Sequence, residues 1–422
     1  MTNKHTDVLI IGAGLSGLMA AAKAAGQGKK VMLAAKGLGA VGLSSGCIDL
    51  WGYGLDRPEQ VCQQPVAEIA ELVNRNPQHP YAKVQDVLEE SLAFFQKICQ
   101  ENRYPYLNRN QSNWLLPTAL GTLRPTYLAP AGMALGDLPG VSGLLVAGFR
   151  ELKDFYPDVL AANLKKSDVL RPDCCIKTLM VDAGGGELSP NTLAHRLERP
   201  EVLEKIIEQI KPCLSEGAVL LFPPVLGEGW DSRVVKKLSE GLGCPVYEVA
   251  NIPPALPGQR LQQMLLHHCK GQGVEVMLGC TVTEAQVAGK QCTGVVAGGA
   301  GKRMKISAKT IVLATGSFLG GGLESKPGEA WESIFGLPVE TGRAKWSARD
   351  FLAMEGHLFN QMGIKVNSCL QPVDDRGRAI LENVMITGAN LAGCNYAIEK
   401  CGNGVAVASG YKAGKLTGEA GK

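Results

Sequence analysis

The sequence predicts an α/β fold: a Rossmann-like domain on a parallel sheet with helices and a β-flap, interrupted by an inserted α+β cap. Three observations predict it. Residues 7–36 read as strand, glycine loop, helix and second strand, one βαβ unit of about 30 residues. A buried strand at Thr310–Ala314, and a last strand and helix after residue 382, supply further parts of such a sheet. Between them, residues 60–255 change texture. Proline rises, the apolar period wanders between helix and strand, and no further phosphate-type loop occurs.

In order along the chain, DVLIIG (7–12) is an apolar run ending in glycine, the pattern of a buried parallel strand. GAGLSG (12–17) opens into LMAAAKAAGQG, an alanine-rich helix stopped by Gly26–Gly28. KKVMLAAKG (29–37) is the second strand, and residues 37–55 form a glycine-rich loop around Ser44, Ser45 and Gly46. Residues 84–101 and 197–211 read as amphipathic helices. A helix returns at 258–271. VEVMLG, TVTEAQVAG, TGVVAG and KRMKISAKT follow as short strands, with Gly298–Gly301 as a hairpin turn. NVMITG and GVAVASGYKAGKL close the chain as strand and helix. The division that follows gives 1–58, 256–318 and 376–422 to the Rossmann-like domain, and 59–255 with 319–375 to the cap.

Composition narrows the function. Lys+Arg number 43 against 40 Asp+Glu, so a formal net charge of +3 offers no footprint for a nucleic acid. No run approaches 18 apolar residues, so no transmembrane segment is expected. No signal-peptide pattern opens the chain, and the 13 cysteines are expected as thiols in a reducing cytosol. Their spacing holds no Cys-x-x-Cys pair, and Cys174 and Cys175 are adjacent, so no metal site is expected. His267, His268 and Cys269 are neighbours on a helix, where adjacent side chains point apart. Glycine is the outlier, with 52 of 422 residues, well above the ~7% of ordinary chains. Such clusters mark backbone approaching backbone or a ligand.

The chemistry-bearing motif is G-x-G-x-x-G in its required setting, with a strand before it and a helix after it. Gly12 permits the tight turn, Gly14 lets the backbone approach a phosphate, and Gly17 lets helix and strand pack closely. The helix N-terminus then offers N–H groups and partial positive charge. The second strand of such a unit usually ends in an acidic residue that binds the adenosine ribose, but here the position is Ala35, followed by Lys36. The ligand is therefore either NADP-like, with Lys36 near a 2′-phosphate, or one lacking the adenosine half, as FMN does. Ile311–Ala314 running into Thr315-Gly316-Ser317 is a flavoprotein signal rather than a simple dehydrogenase one. Gly388 and then Cys401-Gly402-Asn403-Gly404-Val405 precede a helix whose N-terminus suits the N1–C2=O edge of a reduced flavin.

The order of these motifs resembles the glutathione-reductase-type flavoproteins of the fumarate reductase group. LSSGCIDL (43–50), HPY (79–81), LGTLRPTYL (120–128), PPALPGQRL (253–261), VLATGSFLGGGL (312–323) and the C-terminal GNGV resemble, more narrowly, the B-subunit family of anaerobic glycerol-3-phosphate dehydrogenases. The resemblance runs from residue 7 to about 415 and is weaker in the middle. It departs at Asn403, where the family tends to carry glycine. It implies FMN as cofactor, with FAD the alternative. It implies oxidation of sn-glycerol 3-phosphate to dihydroxyacetone phosphate, with electrons passing to quinone and then to fumarate or nitrate. The implied partners are a catalytic flavoprotein subunit and an iron–sulfur subunit that anchors the pair to the cytoplasmic face of the membrane.

Candidate residues follow. Gly12, Ala13, Gly14, Leu15, Ser16 and Gly17 are the flavin loop, with Lys36 beside it. By the resemblance, Ser44, Ser45 and Gly46 lie along the ribityl phosphate or near the ring. Thr315 and Gly316 line the crossover, and Gly388, Gly402, Asn403, Gly404 and Val405 face the pyrimidine edge. A substrate phosphate needs an arginine fork, for which Arg124 and Arg260 are candidates. His79 is the weak candidate for the base, and the base is otherwise left unassigned. Two other readings stay open: a flavin-free scaffold, or a stand-alone FAD- or NADP-dependent oxidoreductase.

Overall fold

The computed structural model describes residues 2–136, 138–250, 255–299, 301–342 and 345–419. Parallel strands β1 (Thr2–Ala13) and β2 (Val31–Leu38) flank helix α1 (Leu15–Gly26), as the apolar runs predict. β1 begins at Thr2 rather than Asp7 because its polar first half pairs with Met304–Ala308. Helices α2 (Pro65–Arg75), α3 (Tyr81–Val84) and α4 (Leu88–Glu101) come next. Four short strands follow: β3 (Tyr106–Asn108), β4 (Trp114–Pro117), β5 (Leu123–Thr126) and β6 (Leu128–Pro130). They pair antiparallel, β3 with β6 and β4 with β5.

Strand and helix then alternate: β7 (Gly143–Phe149), α5 (Pro157–Leu164), β8 (Cys175–Val181), α6 (Pro190–Leu197), α7 (Pro200–Ile210), β9 (Ala218–Phe222), α8 (Arg233–Leu242) and β10 (Val246–Glu248). Helix α9 (Leu256–Gly271) leads to β11 (Glu275–Leu278), β12 (Thr281–Ala288), β13 (Gln291–Gly299) and β14 (Lys302–Leu313). A hairpin of β15 (Leu323–Lys326) and β16 (Glu329–Glu332), then β17 (Val384–Ile386), α10 (Tyr396–Glu399) and α11 (Gly402–Glu419) complete the chain.

The chain divides into two compact units. The first comprises residues 1–41, 48–98 and 265–422, and the second residues 42–47 and 99–264. The first holds the seven-stranded sheet, in order β11-β2-β1-β14-β13-β12 with β17 beside β14. The parallel part is β11-β2-β1-β14-β17, and β12-β13-β14 is the antiparallel flap. KRMKISAKT and TIVLA, read as two strands, are one: β14 pairs antiparallel with β13 at Lys302–Ile306 and parallel with β17 at Ile311–Leu313. Of the Gly298–Gly301 turn, Ala300 lies outside the described residues.

Residues 59–98, given to the cap by the sequence division, fall in the first unit. Their helices are tied to α11: Lys412 Nζ bonds the Lys83 carbonyl (2.7 Å) and both Asp86 oxygens, and Tyr411 OH donates to Glu90. Residues 319–375 also fall there, held by backbone bridges such as Ile364 to Leu391. The second unit is built on a four-stranded sheet of order β10-β9-β7-β8, with every pair parallel. Phe149 and Phe222 stack in its core, ring centroids 5.5 Å apart. The α+β reading of the cap describes its small antiparallel pairs. Its main sheet is parallel because residues 143–248 alternate apolar strands with amphipathic helices, which the irregular texture concealed.

Candidate functional site

In the first unit, three glycines of the β1–α1 turn do different work. Gly12 has φ +115°, and a Cβ there would lie 2.2 Å from the Ala314 carbonyl oxygen. A Cβ on Gly17 would lie 2.1 Å from the Gly12 oxygen and 3.3 Å from the Ala314 Cβ. The ends of β1 and β14 and the start of α1 therefore interlock backbone to backbone, and packing alone demands both glycines. Gly14 is unlike them. It caps α1 with extended backbone (φ −74°, ψ 178°), no side chain caps the helix, and a Cβ would meet nothing within 4 Å. From another side Gly39 closes on it, since a Cβ there would lie 2.4 Å from the Gly14 Cα. The start of α1 thus presents backbone donors and the positive end of a helix at an open position, which suits an anion.

The neighbouring loops build the rest of the cradle. Asn390 Nδ2 donates to Thr315 Oγ1 (2.9 Å), while the buried Asn390 Oδ1 has no hydrogen-bond partner among the described residues. An orphaned buried acceptor costs about 1–3 kcal/mol, so it suits an N–H from a ligand. Gly316 (φ +79°) turns the chain here, and a Cβ on Gly322 would strike its carbonyl oxygen at 2.0 Å. The Gly388 N–H donates to Ser409 Oγ (2.9 Å), and a Cβ there would lie 2.4 Å from Ser16 Oγ. Gly410 of α11 leaves room for the Ser16 carbonyl, which a Cβ would meet at 2.2 Å. So Ser16, Gly388 and α11 come together around the start of α1. The open Gly14, the uncapped helix and the orphaned Asn390 oxygen fit a flavin, whose phosphate accepts and whose ring N–H donates.

At the start of α11 the fit is narrower than expected. The Gly404 N–H is spent on the Asp49 carbonyl (3.0 Å) and the Val405 N–H on the Cys401 carbonyl (3.0 Å). Gly404 is glycine for packing, because a Cβ would lie 2.4 Å from Tyr81 Oη. Gly402 and Asn403 form the first turn of the same helix. At the end of β2, Ala35 is buried and its carbonyl accepts the Cys280 N–H (3.0 Å), whereas Lys36 is exposed.

In the second unit, Ser44 Oγ accepts the Gly46 N–H (3.2 Å) and Ser45 Oγ the Cys47 N–H (3.4 Å), hydroxyl turns that account for the Ser-Ser-Gly string locally. Gly46 (φ +77°) packs against Pro257, and its carbonyl accepts Tyr106 OH (2.7 Å). Arg260 is corrected as a phosphate binder. It is 5% exposed, its Nε and Nη2 donate to the Gly227 carbonyl, and its Nη1 and Nη2 to the Glu248 carboxylate (2.5 and 3.0 Å). The guanidinium is consumed in holding the β9–α8 loop. Arg124, the other arginine candidate, lies half-buried on β5.

His79 is wholly buried, which removes it as a base in direct contact with a substrate hydroxyl. It belongs to a cluster the sequence reading missed. His79, Cys394, Glu399 and Cys401 bring one donor atom each within 4.8 Å of one another. His79 Nε2 lies 3.3 Å from Glu399 Oε2, which also accepts the Asn395 N–H (2.8 Å) and the Cys401 thiol (3.3 Å). The Tyr81 N–H points at Nδ1 (3.2 Å), so the neutral ring carries its proton on Nε2. Burial opposes a second ring proton, while bonds to Cys394 and Glu399 outweigh it and lift the pKa to about 9. The Cys401 bond holds the Cys394 thiol below its ordinary pKa against burial, and burial drives Cys401 upward. Only GCNYAIEKCG, two cysteines around a glutamate, signals the cluster in sequence. The adjacent trio behaves as expected: Cys269 is buried, its thiol on the Leu18 carbonyl, while His267 is exposed.

A family model described as an FAD binding domain matches residues 7–405. A protein of Halobacterium salinarum, named as a probable B subunit of anaerobic glycerol-3-phosphate dehydrogenase, is 31% identical, over 99% of this chain and 98% of its own. A Vibrio cholerae protein, named as the B subunit of anaerobic glycerol-3-phosphate dehydrogenase, is 30% identical, over 97% and 95%. Among solved structures, the open conformation of a flavocytochrome c3 fumarate reductase aligns over 99% of this chain and 79% of its own, with TM-score 0.45 and 10% identity.

Proposed function

The chain belongs to the FAD binding domain family and to the relatives named as B subunits of anaerobic glycerol-3-phosphate dehydrogenase, and from that premise we propose that it carries a flavin and relays electrons within such a complex. The observation that supports this best is the open Gly14 at the uncapped start of α1. The glycines packed around it are explained by close backbone contacts, whereas packing leaves Gly14 unexplained. A bound flavin would supply two-electron chemistry there. The chain's own part is to hold the phosphate at α1 and to offer the ring a polar edge at Asn390.

The substrate proposed is sn-glycerol 3-phosphate, oxidised to dihydroxyacetone phosphate, with electrons passing through an iron–sulfur subunit to quinone. No helix among the described residues is long and apolar enough to cross a membrane. Delivery to quinone therefore falls to the partners, the catalytic flavoprotein and the iron–sulfur protein, at the cytoplasmic face of the membrane. Two of the three candidates for a glycerol phosphate site, Arg260 and His79, are committed internally, which supports placing that site in the catalytic flavoprotein partner and the relay in this chain. The family model favours FAD, whereas Ala35 in place of a ribose-binding carboxylate favours FMN, which we take as the cofactor.

The test is the complex of the three proteins assembled with wild-type chain or with Gly14→Glu. The expected result is loss of glycerol 3-phosphate:quinone turnover with assembly unchanged. Full turnover with the variant would make the chain a scaffold, and turnover by the isolated chain would make it a free-standing oxidoreductase.

A further inference from the structure

The first unit contains a second group fit for electron transfer, built from side chains rather than backbone. Cys394 Sγ and Cys401 Sγ lie 3.2 Å apart, both buried, against a disulfide bond of about 2.05 Å. The path between them is prearranged. The turn α10 and Lys400, in the left-handed region at φ +50°, fold the chain back so that the second sulfur meets the first. Around them are the two groups that thiol chemistry needs. Glu399 Oε2 accepts the Cys401 S–H, and the same oxygen lies beside His79 Nε2.

We propose that Cys394 and Cys401 are a reversible dithiol–disulfide pair that stores two electrons in this chain and exchanges them with its flavin. On oxidation both S–H bonds break and one S–S bond forms. Two electrons and one proton pass to an oxidised flavin, and the second proton leaves through Glu399 and His79. Reduction runs the same steps backwards, so atoms and charge balance without a further reagent. The two sulfurs are unlike: Cys394 is held toward the thiolate, the nucleophilic form, while burial pushes the Cys401 thiol up. A metal is the competing occupant of four such donors. The sulfurs at 3.2 Å are closer than the roughly 3.8 Å that separates two thiolates on a tetrahedral zinc with bonds of about 2.3 Å, so the geometry favours the redox pair.

The exchange with flavin rests on the proposed function, while the pair itself does not, and two readouts separate them. First, the full chain is equilibrated anaerobically in glutathione buffers from reducing to oxidising, quenched in acid, alkylated and digested for mass spectrometry. Cys394 and Cys401 are expected to escape alkylation together at the oxidising end and to return together on reduction. Cysteines alkylated at every potential would overturn the pair. So would one equivalent of tightly bound zinc in the untreated protein that disappears in Cys394→Ser. Second, the flavin-loaded chain is titrated with dithionite. The wild type is expected to take about four electrons per flavin and Cys394→Ser about two. About two in both would overturn the exchange. A chain that binds no flavin would count against the flavin reading alone, and the alkylation pattern, which needs no variant, would still decide the pair.

Discussion

The glycine cradle at the start of α1 and the thiol–imidazole cluster before α11 belong to the same compact unit but are made differently. The cradle is backbone: Gly12, Gly17, Gly388 and Gly410 are glycine because carbonyls or Ser16 occupy the space of a Cβ. The cluster is side chain: an imidazole, a carboxylate and two thiols, with His79 and Glu399 320 positions apart. A backbone site tolerates no added atoms yet leaves one position, Gly14, with nothing to hit. A side-chain site tolerates shape changes but depends on each partner's proton. The buried Arg260–Glu248 pair of the second unit follows the side-chain rule too.

That difference can be tested by substitution, from the largest effect downward. Arg260→Ala strands a buried carboxylate, and a loss of about 3–5 kcal/mol is expected in urea unfolding. A loss under 1 kcal/mol would mean that water reaches the pair. Gly12→Val adds atoms at a positive φ beside the Ala314 carbonyl, and a loss of about 3 kcal/mol is expected, read as a large drop in Tm.

Third comes pH. The folded pKa of His79, about 9, lies above the ordinary value of 6.5. The stabilisation it brings is therefore full below pH 6.5 and is lost as pH rises toward 9. With the Tyr81 N–H opposing the second ring proton, roughly 2 kcal/mol is expected. Urea midpoints should fall across that window in the wild type and stay level in His79→Gln. A wild-type midpoint level from pH 6.5 to 9 would contradict the protonated cluster. The smallest stability effect belongs to Gly14→Ala, within about 0.5 kcal/mol, because its Cβ enters open space. A large loss there would mean that the cradle is closed.

The same contrast explains what was legible in the sequence. G-x-G-x-x-G is local, and glycine spacing encodes a backbone turn directly, so the tight turn at Gly12 and the close helix–strand packing at Gly17 are legible in the sequence. Ala314, Asn390 and Gly39 were not singled out, since their part is set by where distant strands end. The apolar pattern breaks the long β14 in two because its first half is polar, and that half is ordered by β1 and β13 rather than by burial alone. The parallel sheet of the second unit was hidden by short strands and proline-led helices. Arg260 matched a motif but spends its donors internally, which composition cannot reveal. No spacing rule joins His79 to Cys394, because tertiary packing alone makes that contact.

The proposed relay stands or falls with a flavin at the open position of Gly14. The most direct measurement is titration of flavin-stripped, folded chain with FMN and with FAD, followed by quenching of flavin fluorescence, for wild type and Gly14→Glu in parallel. About one flavin is expected per wild-type chain, FMN the tighter, and none on a variant whose Tm is unchanged. A folded wild-type chain that binds neither flavin, or a variant that binds as well as wild type, would contradict it.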